Sequence, residues 1–368
     1  MSFRAPALFL LSGTAEPGTR TKGGPMSENG GTTGGPKSAA KDGSTSGPKS
    51  GSGPRLRGRT RGLRPWSRDH WPRRIALLDP EEDYEEIYRI TSLHEFPWDM
   101  SQALSFALYR TYAVPSIGEL LATTGEFTRR TRKRYEDTAL LLEAPVEHGG
   151  DSPEGREAVR RINRMHRAYD IREEDFRYVL ATFVVVPKRW LDDYGHRPLS
   201  PAELRAATRY YQVLGARMGI KDIPASYQEF EELLDAYERR HFAYSEGGRA
   251  VSDATLRLMR SWYPRPVRPL MGLAARCLLD APLREAFRYP APPAPLGALV
   301  RRGLRLRGRF AGLLPPRRKP LHIRETARIR GYPHGYVLAD LGTFPGGCPV
   351  PHQDQDGREQ RLPGGPAS

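Results

Sequence analysis

Between residues 75 and 290 the apolar positions recur with a helical period almost without interruption. Asp79-Pro80-Glu81-Glu82 suits a first helical turn, and Tyr84, Ile87, Tyr88 and Thr91 follow it at helical spacing. Leu104, Ala107, Leu108 and Thr111 continue the period from Met100 to Tyr112, and Pro115 opens a helix that stops near Gly125. A longer helix is expected from Glu126 to Ala144, then one from Ser152-Pro153-Glu154 to His166. The next runs from Asp175 to Val186, with Pro187 closing it or opening a following turn. Ser200-Pro201-Ala202-Glu203 reads as a capping box for a helix reaching Met218. Helices over 226–242, 252–262 and 267–287 complete the set. Only Tyr178 to Val186 is rich in β-branched residues, and its flanks suit a helix equally well. The pattern predicts an all-α fold, a single globular multi-helix domain over 75–290.

Composition separates this body from both ends. Residues 13–54 are mostly Gly, Ser, Thr, Pro and Lys, too poor in apolar groups to offset chain entropy, so 1–74 is expected to be a disordered leader. The short apolar run Ala5 to Leu11 falls short of a secretory signal, and Met26 is an alternative start of translation. After Tyr289 a Pro-Ala-Pro-Pro-Ala-Pro hinge leads into a tail, 291–368, with a basic helix at 296–314 and irregular chain from Pro315. Leucines and arginines in that helix do not separate into faces. It reads either as a solvated helix or as a segment lying on an anionic membrane surface.

Charge follows the same division. The chain carries +15 in total, with an excess of ten positive charges in 1–74, ten more in 301–334, and a body that is slightly negative. A specific nucleic-acid-binding core would carry its own basic surface, so no specific nucleic-acid partner is expected. Two cysteines exclude a disulfide scaffold or a Cys-rich metal site, and no run of about 18 apolar residues is present to span a membrane. A cytoplasmic location, with peripheral membrane contact through the basic segment, fits these features.

Chemistry-bearing motifs are sparse. None of the nine histidines forms a His-x-x-x-His pair, and there is no Gly-x-Ser-x-Gly elbow or phosphate-cradling glycine loop. Two polar groups do fall on apolar faces. His166 continues the stripe of Val159 and Ile162, and Arg134 and Thr138 share a face with Phe127, Thr131, Leu141 and Leu142. On spacing alone, such a histidine is ordinarily a satisfied core residue and such an Arg–Thr pair a hydrogen-bond network. A single imidazole also suits the axial position of a haem.

Several segments together resemble the MpaB-type oxygenase family, which is related to the haem-dependent latex-clearing rubber oxygenases. They are Phe96-Pro97-Trp98-Asp99, Arg110-Thr111-Tyr112-Ala113-Val114-Pro115, Arg134-Tyr135-Glu136-Asp137-Thr138, Asn163-Arg164-Met165-His166-Arg167-Ala168-Tyr169, Tyr178-Val179-Leu180-Ala181-Thr182-Phe183 and Gly215-Ala216-Arg217-Met218-Gly219-Ile220. The resemblance covers about 79–290. It implies a haem pocket between helices, with His166 as the iron ligand of haem b and Arg134 and Thr138 lining the pocket. Rubber oxygenases carry a lysine just before the threonine. Here that position is Asp137, a proton acceptor or water organiser on this reading, or else a surface acid. The neutral His166 is expected to donate its other ring nitrogen to a carbonyl or carboxylate.

The activity so implied is a haem-dependent oxygenase that uses dioxygen to cleave or oxygenate an unsaturated lipophilic substrate, such as a polyprenoid. Two rivals remain: a haem-binding helical protein with a peroxidase-like or sensor role, and a non-haem interaction protein on a membrane surface.

Overall fold

Local capping decides where many of the helices begin. Ser152, Ser200, Ser226, Ser245 and Asp280 each accept a backbone N–H from the first turn of the helix that follows, and Ser200 and Glu203 complete the expected capping box. The computed structural model describes residues 67–342 except Ala327, all within one unit of the chain. Among the described residues there are fourteen α-helices and no strand. They are α1 His70–Ile75, α2 Tyr84–Ile90, α3 Pro97–Thr111, α4 Pro115–Thr124, α5 Glu126–Arg129, α6 Thr131–His148, α7 Pro153–His166, α8 Glu173–Tyr194, α9 Pro201–Arg217, α10 Tyr227–His241, α11 Glu246–Ser261, α12 Arg268–Cys277, α13 Ala281–Ala286 and α14 Ala294–Leu313.

Where helices depart from the periodicity, the cause is local. Asp79 and Asp83 hold a turn through side-chain bonds to backbone N–H groups, so α2 begins only at Tyr84. The expected helix from Glu126 breaks at Arg130 (φ −127°, ψ 43°), and the Thr131 hydroxyl donates to the Phe127 carbonyl at 2.6 Å across the break. Pro187 does not end α8, although an interior proline costs about 3 kcal/mol. Tyr178, Leu180, Phe183, Val185, Trp190 and Leu191 are buried on that helix, and packing on several sides outweighs the lost bond.

The central helix is α8, packed against α3, α9, α10 and α14. Tyr178, Leu191, Phe230 and Leu234 are among the buried residues of the main core. Where α4 crosses α11, a Cβ on Gly118 would meet the Cα of Gly248 at 2.7 Å, so glycine sets the separation. The same holds at Gly308 of α14, whose Cβ would meet the Tyr194 carbonyl at 2.3 Å.

Both ends of the body extend further than their composition predicts. Ile75 of α1 is buried, Trp71 donates to the Arg317 carbonyl at 2.9 Å and Arg68 pairs with Glu95 at 3.1 Å, so the chain from 67 belongs to the body. The remainder of the leader, 1–66, lies outside the described residues, as does 343–368. The expected basic helix is α14, and Arg307 reaches Asp99 at 2.6 Å while stacking over Trp98. Beyond it, residues 321–342 form a strap across α6 and α7, with Tyr332 and Leu341 in a core cluster with Leu140, Leu141 and Ile162. Past α14, the described residues to 342 form no α-helix, as the sequence suggests, but they are built into the core.

Candidate functional site

Arg134 and Thr138 lie one turn apart on α6, as their spacing requires. The guanidinium donates to the threonine hydroxyl, which donates in turn to the Arg134 carbonyl at 2.8 Å. The guanidinium also sits over the Phe127 ring at 5.0 Å. His166, at the end of α7, places its ring 5.2 Å from that of Phe176. Burial, and after it the positive charge of Arg134, lowers the His166 pKa to about 4, so the imidazole is neutral at physiological pH. The structure thus gathers His166, Arg134 and Thr138 on neighbouring parts of α6 and α7, which pack together. The carbonyl or carboxylate expected beside the other ring nitrogen is absent, since among the described residues no hydrogen bond reaches the imidazole.

Thr138 also borders a cavity of about 120 Å³ between α2, α3, α6 and α9. Its walls are mainly apolar, with Met100, Leu104, Leu142 and Leu214 among them, and the strap contributes Leu321 and Ile323. Tyr88 and Tyr211, joined hydroxyl to hydroxyl at 2.7 Å, also line it. Burial pushes the Tyr88 phenol up to about 12, so it keeps its hydroxyl hydrogen and can donate a hydrogen bond. A larger and more open groove along α9 and the start of α10 touches none of the three gathered residues.

Asp137 does not join this constellation. It is 1% exposed, which excludes a surface acid, and it faces the strap. Its carboxylate is held by Lys133 at 2.5 Å, by the Tyr332 hydroxyl and by the backbone N–H of Gly342 at 2.9 Å. The neighbouring Glu136 accepts from the backbone N–H groups of Arg330 and Gly331, and Arg161 donates to the Leu341 carbonyl at 2.6 Å. Four charged side chains of α6 and α7 are buried beneath the strap: Lys133, Glu136, Asp137 and Arg161.

A further group escaped the sequence reading. Glu143 and Glu147 of α6 and His322 of the strap bring one potential ligand atom each within 4.8 Å of one another. Burial, and then the charge of Glu147, raise the Glu143 carboxyl to about 7, against a hydrogen bond from Ile323 N at 2.7 Å that lowers it. The signal for it was the i, i+4 carboxylate pair, whereas its histidine lies 175 residues further on in sequence.

Residues 98–313 match the family described as ER-bound oxygenase mpaB/B'/rubber oxygenase, catalytic domain. The chain belongs to this family. The match takes in Arg134, Asp137, Thr138 and His166 and runs to the end of α14, while the strap lies beyond it. The chain is 30% identical over 242 residues to ER-bound oxygenase mpaB' of Penicillium brevicompactum, covering 61% of this chain and 57% of that protein. It is 32% identical over 251 residues to ER-bound oxygenase mpaB of the same organism, covering 63% and 64%. To ER-bound oxygenase mpaB of Penicillium roqueforti (strain FM164) it is 29% identical over 233 residues, covering 58% and 78%. The chain therefore spans less than two thirds of the length of the first two of these relatives.

Proposed function

We propose that this member of the family is an oxygenase that binds haem b through His166 and uses dioxygen to cleave or oxygenate an unsaturated, lipophilic substrate of the isoprenoid kind. The observation that carries the reading is His166 itself, a neutral imidazole beside a guanidinium, with no hydrogen-bond partner among the described residues. The donor chemistry fits the group. An unprotonated imidazole nitrogen is a usual ligand of haem iron, and Arg134 suits a carboxylate such as a propionate. When bound, haem would supply the activation of dioxygen, which no side chain here can provide.

The chain's own residues have separable tasks on this reading. His166 offers its lone pair without a competing proton, because its pKa lies well below neutrality. Arg134 holds an anionic group, with Thr138 and the Phe127 ring keeping the guanidinium in place. The leucines of the cavity exclude water from an apolar guest, and the protonated Tyr88–Tyr211 pair offers a hydrogen bond at its wall. At about 120 Å³ the cavity is smaller than the roughly 300–1,000 Å³ usual for a small-molecule site, so a guest has to part the side chains that line it. The test is a visible spectrum of the full chain supplied with haem, beside His166→Ala, followed by oxygen uptake with a panel of polyprenoids. The wild type should give a Soret band that the variant loses. A chain that takes up no haem would overturn the reading, and an unchanged band in the variant would remove His166 from it. Haem uptake without oxygen consumption would favour the peroxidase-like or sensor role.

Peripheral membrane contact through α14 is part of the same proposal. Leu299, Arg302, Leu306, Arg309, Phe310 and Leu313 form an exposed stripe that mixes apolar and basic groups, and no helix among the described residues is long and apolar enough to cross a membrane. The relatives are named ER-bound oxygenases, which agrees with a membrane-associated role. Cosedimentation with phosphatidylserine vesicles at low salt should be lost in an Arg302→Glu, Arg309→Glu variant. Equal partitioning of the two chains would sink the idea.

A further inference from the structure

We infer that Glu143, Glu147 and His322 form a separate site for a divalent first-row metal ion such as Zn²⁺, which pins the strap to α6. The two glutamates lie one turn apart on the same face of α6, and the strap brings the histidine to them. His322 is 8% exposed, and its Nδ1 is buried with no hydrogen-bond partner while lying 3.5 Å from Oε2 of Glu147. An unsatisfied buried ring nitrogen 3.5 Å from a carboxylate oxygen is costly as it stands and is what a cation between them would repair. Ile323 N holds one oxygen of Glu143 at 2.7 Å, so the backbone beside His322 already fixes the geometry of a second ligand.

The donor set selects the ion. Two carboxylates and an imidazole suit Zn²⁺ and its first-row neighbours, whereas Mg²⁺ and Ca²⁺ favour all-oxygen shells. The present occupant is Arg324, whose guanidinium donates to both oxygens of Glu147, at 2.6 Å to Oε1. It neutralises one of two carboxylates and is partly exposed, with 36% of its side chain open to solvent, so it can swing out to admit an ion. Arg324 is thus a competitor for the metal, and this predicts an effect of unusual sign. Removing it should strengthen metal binding, although a bidentate ion pair is lost.

Calorimetric titration of Zn²⁺ into the full chain, stripped with EDTA and desalted, tests this, with Mg²⁺ as control. One Zn²⁺ per chain is expected, with much weaker binding of Mg²⁺. Partners outside the coordination shell alone are worth about 10–100-fold in affinity, so His322→Ala should weaken Zn²⁺ binding by roughly 100-fold or more. Glu147→Gln, close in volume, gives a second reading should the histidine variant fold poorly, and Arg324→Gln should tighten binding several-fold. Zn²⁺ should also slow protease cleavage within 321–342 in the wild type and not in Glu147→Gln. No saturable Zn²⁺ site, binding unchanged in both ligand variants, or weaker binding in Arg324→Gln would each overturn the inference. Haem is no part of these readouts, so their failure leaves the reading of His166 untouched.

Discussion

At the scale of single residues, Arg134 and Asp137 show how far apart in role two near neighbours on a helix can be. Three positions on α6 turn one toward Thr138 and His166 and the other beneath the strap. Arg134→Leu removes the charge near the imidazole and the bond to Thr138, but the threonine keeps its own bond to the Arg134 backbone carbonyl at 2.8 Å. No buried hydroxyl is stranded, so the stability cost should stay near 1–2 kcal/mol. If Arg134 holds an anionic group during turnover, losing a charge-assisted hydrogen bond of about 1.5–3 kcal/mol lowers the rate by roughly one to two powers of ten. Oxygen uptake per haem and thermal melting on one sample decide it. Near-normal uptake with a melting point many degrees lower would make the pair structural.

At the scale of elements, α6 is unusual in being enclosed on both sides, its apolar face by the bundle and its charged face by the strap. Asp137→Ala leaves Lys133, 4% exposed, without its carboxylate, and it also removes the acceptor for Tyr332 and Gly342 N. Breaking a buried pair in this way costs about 3–5 kcal/mol. Urea denaturation should report that loss, and limited proteolysis should show new cleavage in 321–342, while haem uptake by the folded fraction is retained. A variant with unchanged stability and no turnover would instead return Asp137 to the reacting centre.

At the scale of the whole molecule, the strap and α14 tie the described C-terminal residues into the core. Its charge and its lack of apolar periodicity suggest that 301–334 is removable. In the fold, Arg307 neutralises the buried Asp99, and Tyr332 and Leu341 complete a core cluster. A chain ending at 314 would uncover Leu140, Leu141, Glu136 and Asp137 together. Such a chain should keep much of its helical circular dichroism but lose its cooperative melting transition and elute as aggregates on gel filtration. A monomer that melts sharply, within a few degrees of the full chain, would show the strap to be an accessory.

The sequence by itself determined the all-α class, most helix starts and the Arg134–Thr138 pairing, because caps and helical periodicity act within a few residues. It also carried the family pattern around His166, and the match over 98–313 agrees with that resemblance. Only the tertiary structure decided that Pro187 lies within a helix, that His166 has no hydrogen-bond partner among the described residues, and that Asp137 faces the strap. It alone brought His322 to Glu143 and Glu147. The reason is the same in each case. A charged residue carries no local sign of whether water or a distant piece of chain will satisfy it, and on α6 the satisfying groups come from almost two hundred residues away in the sequence.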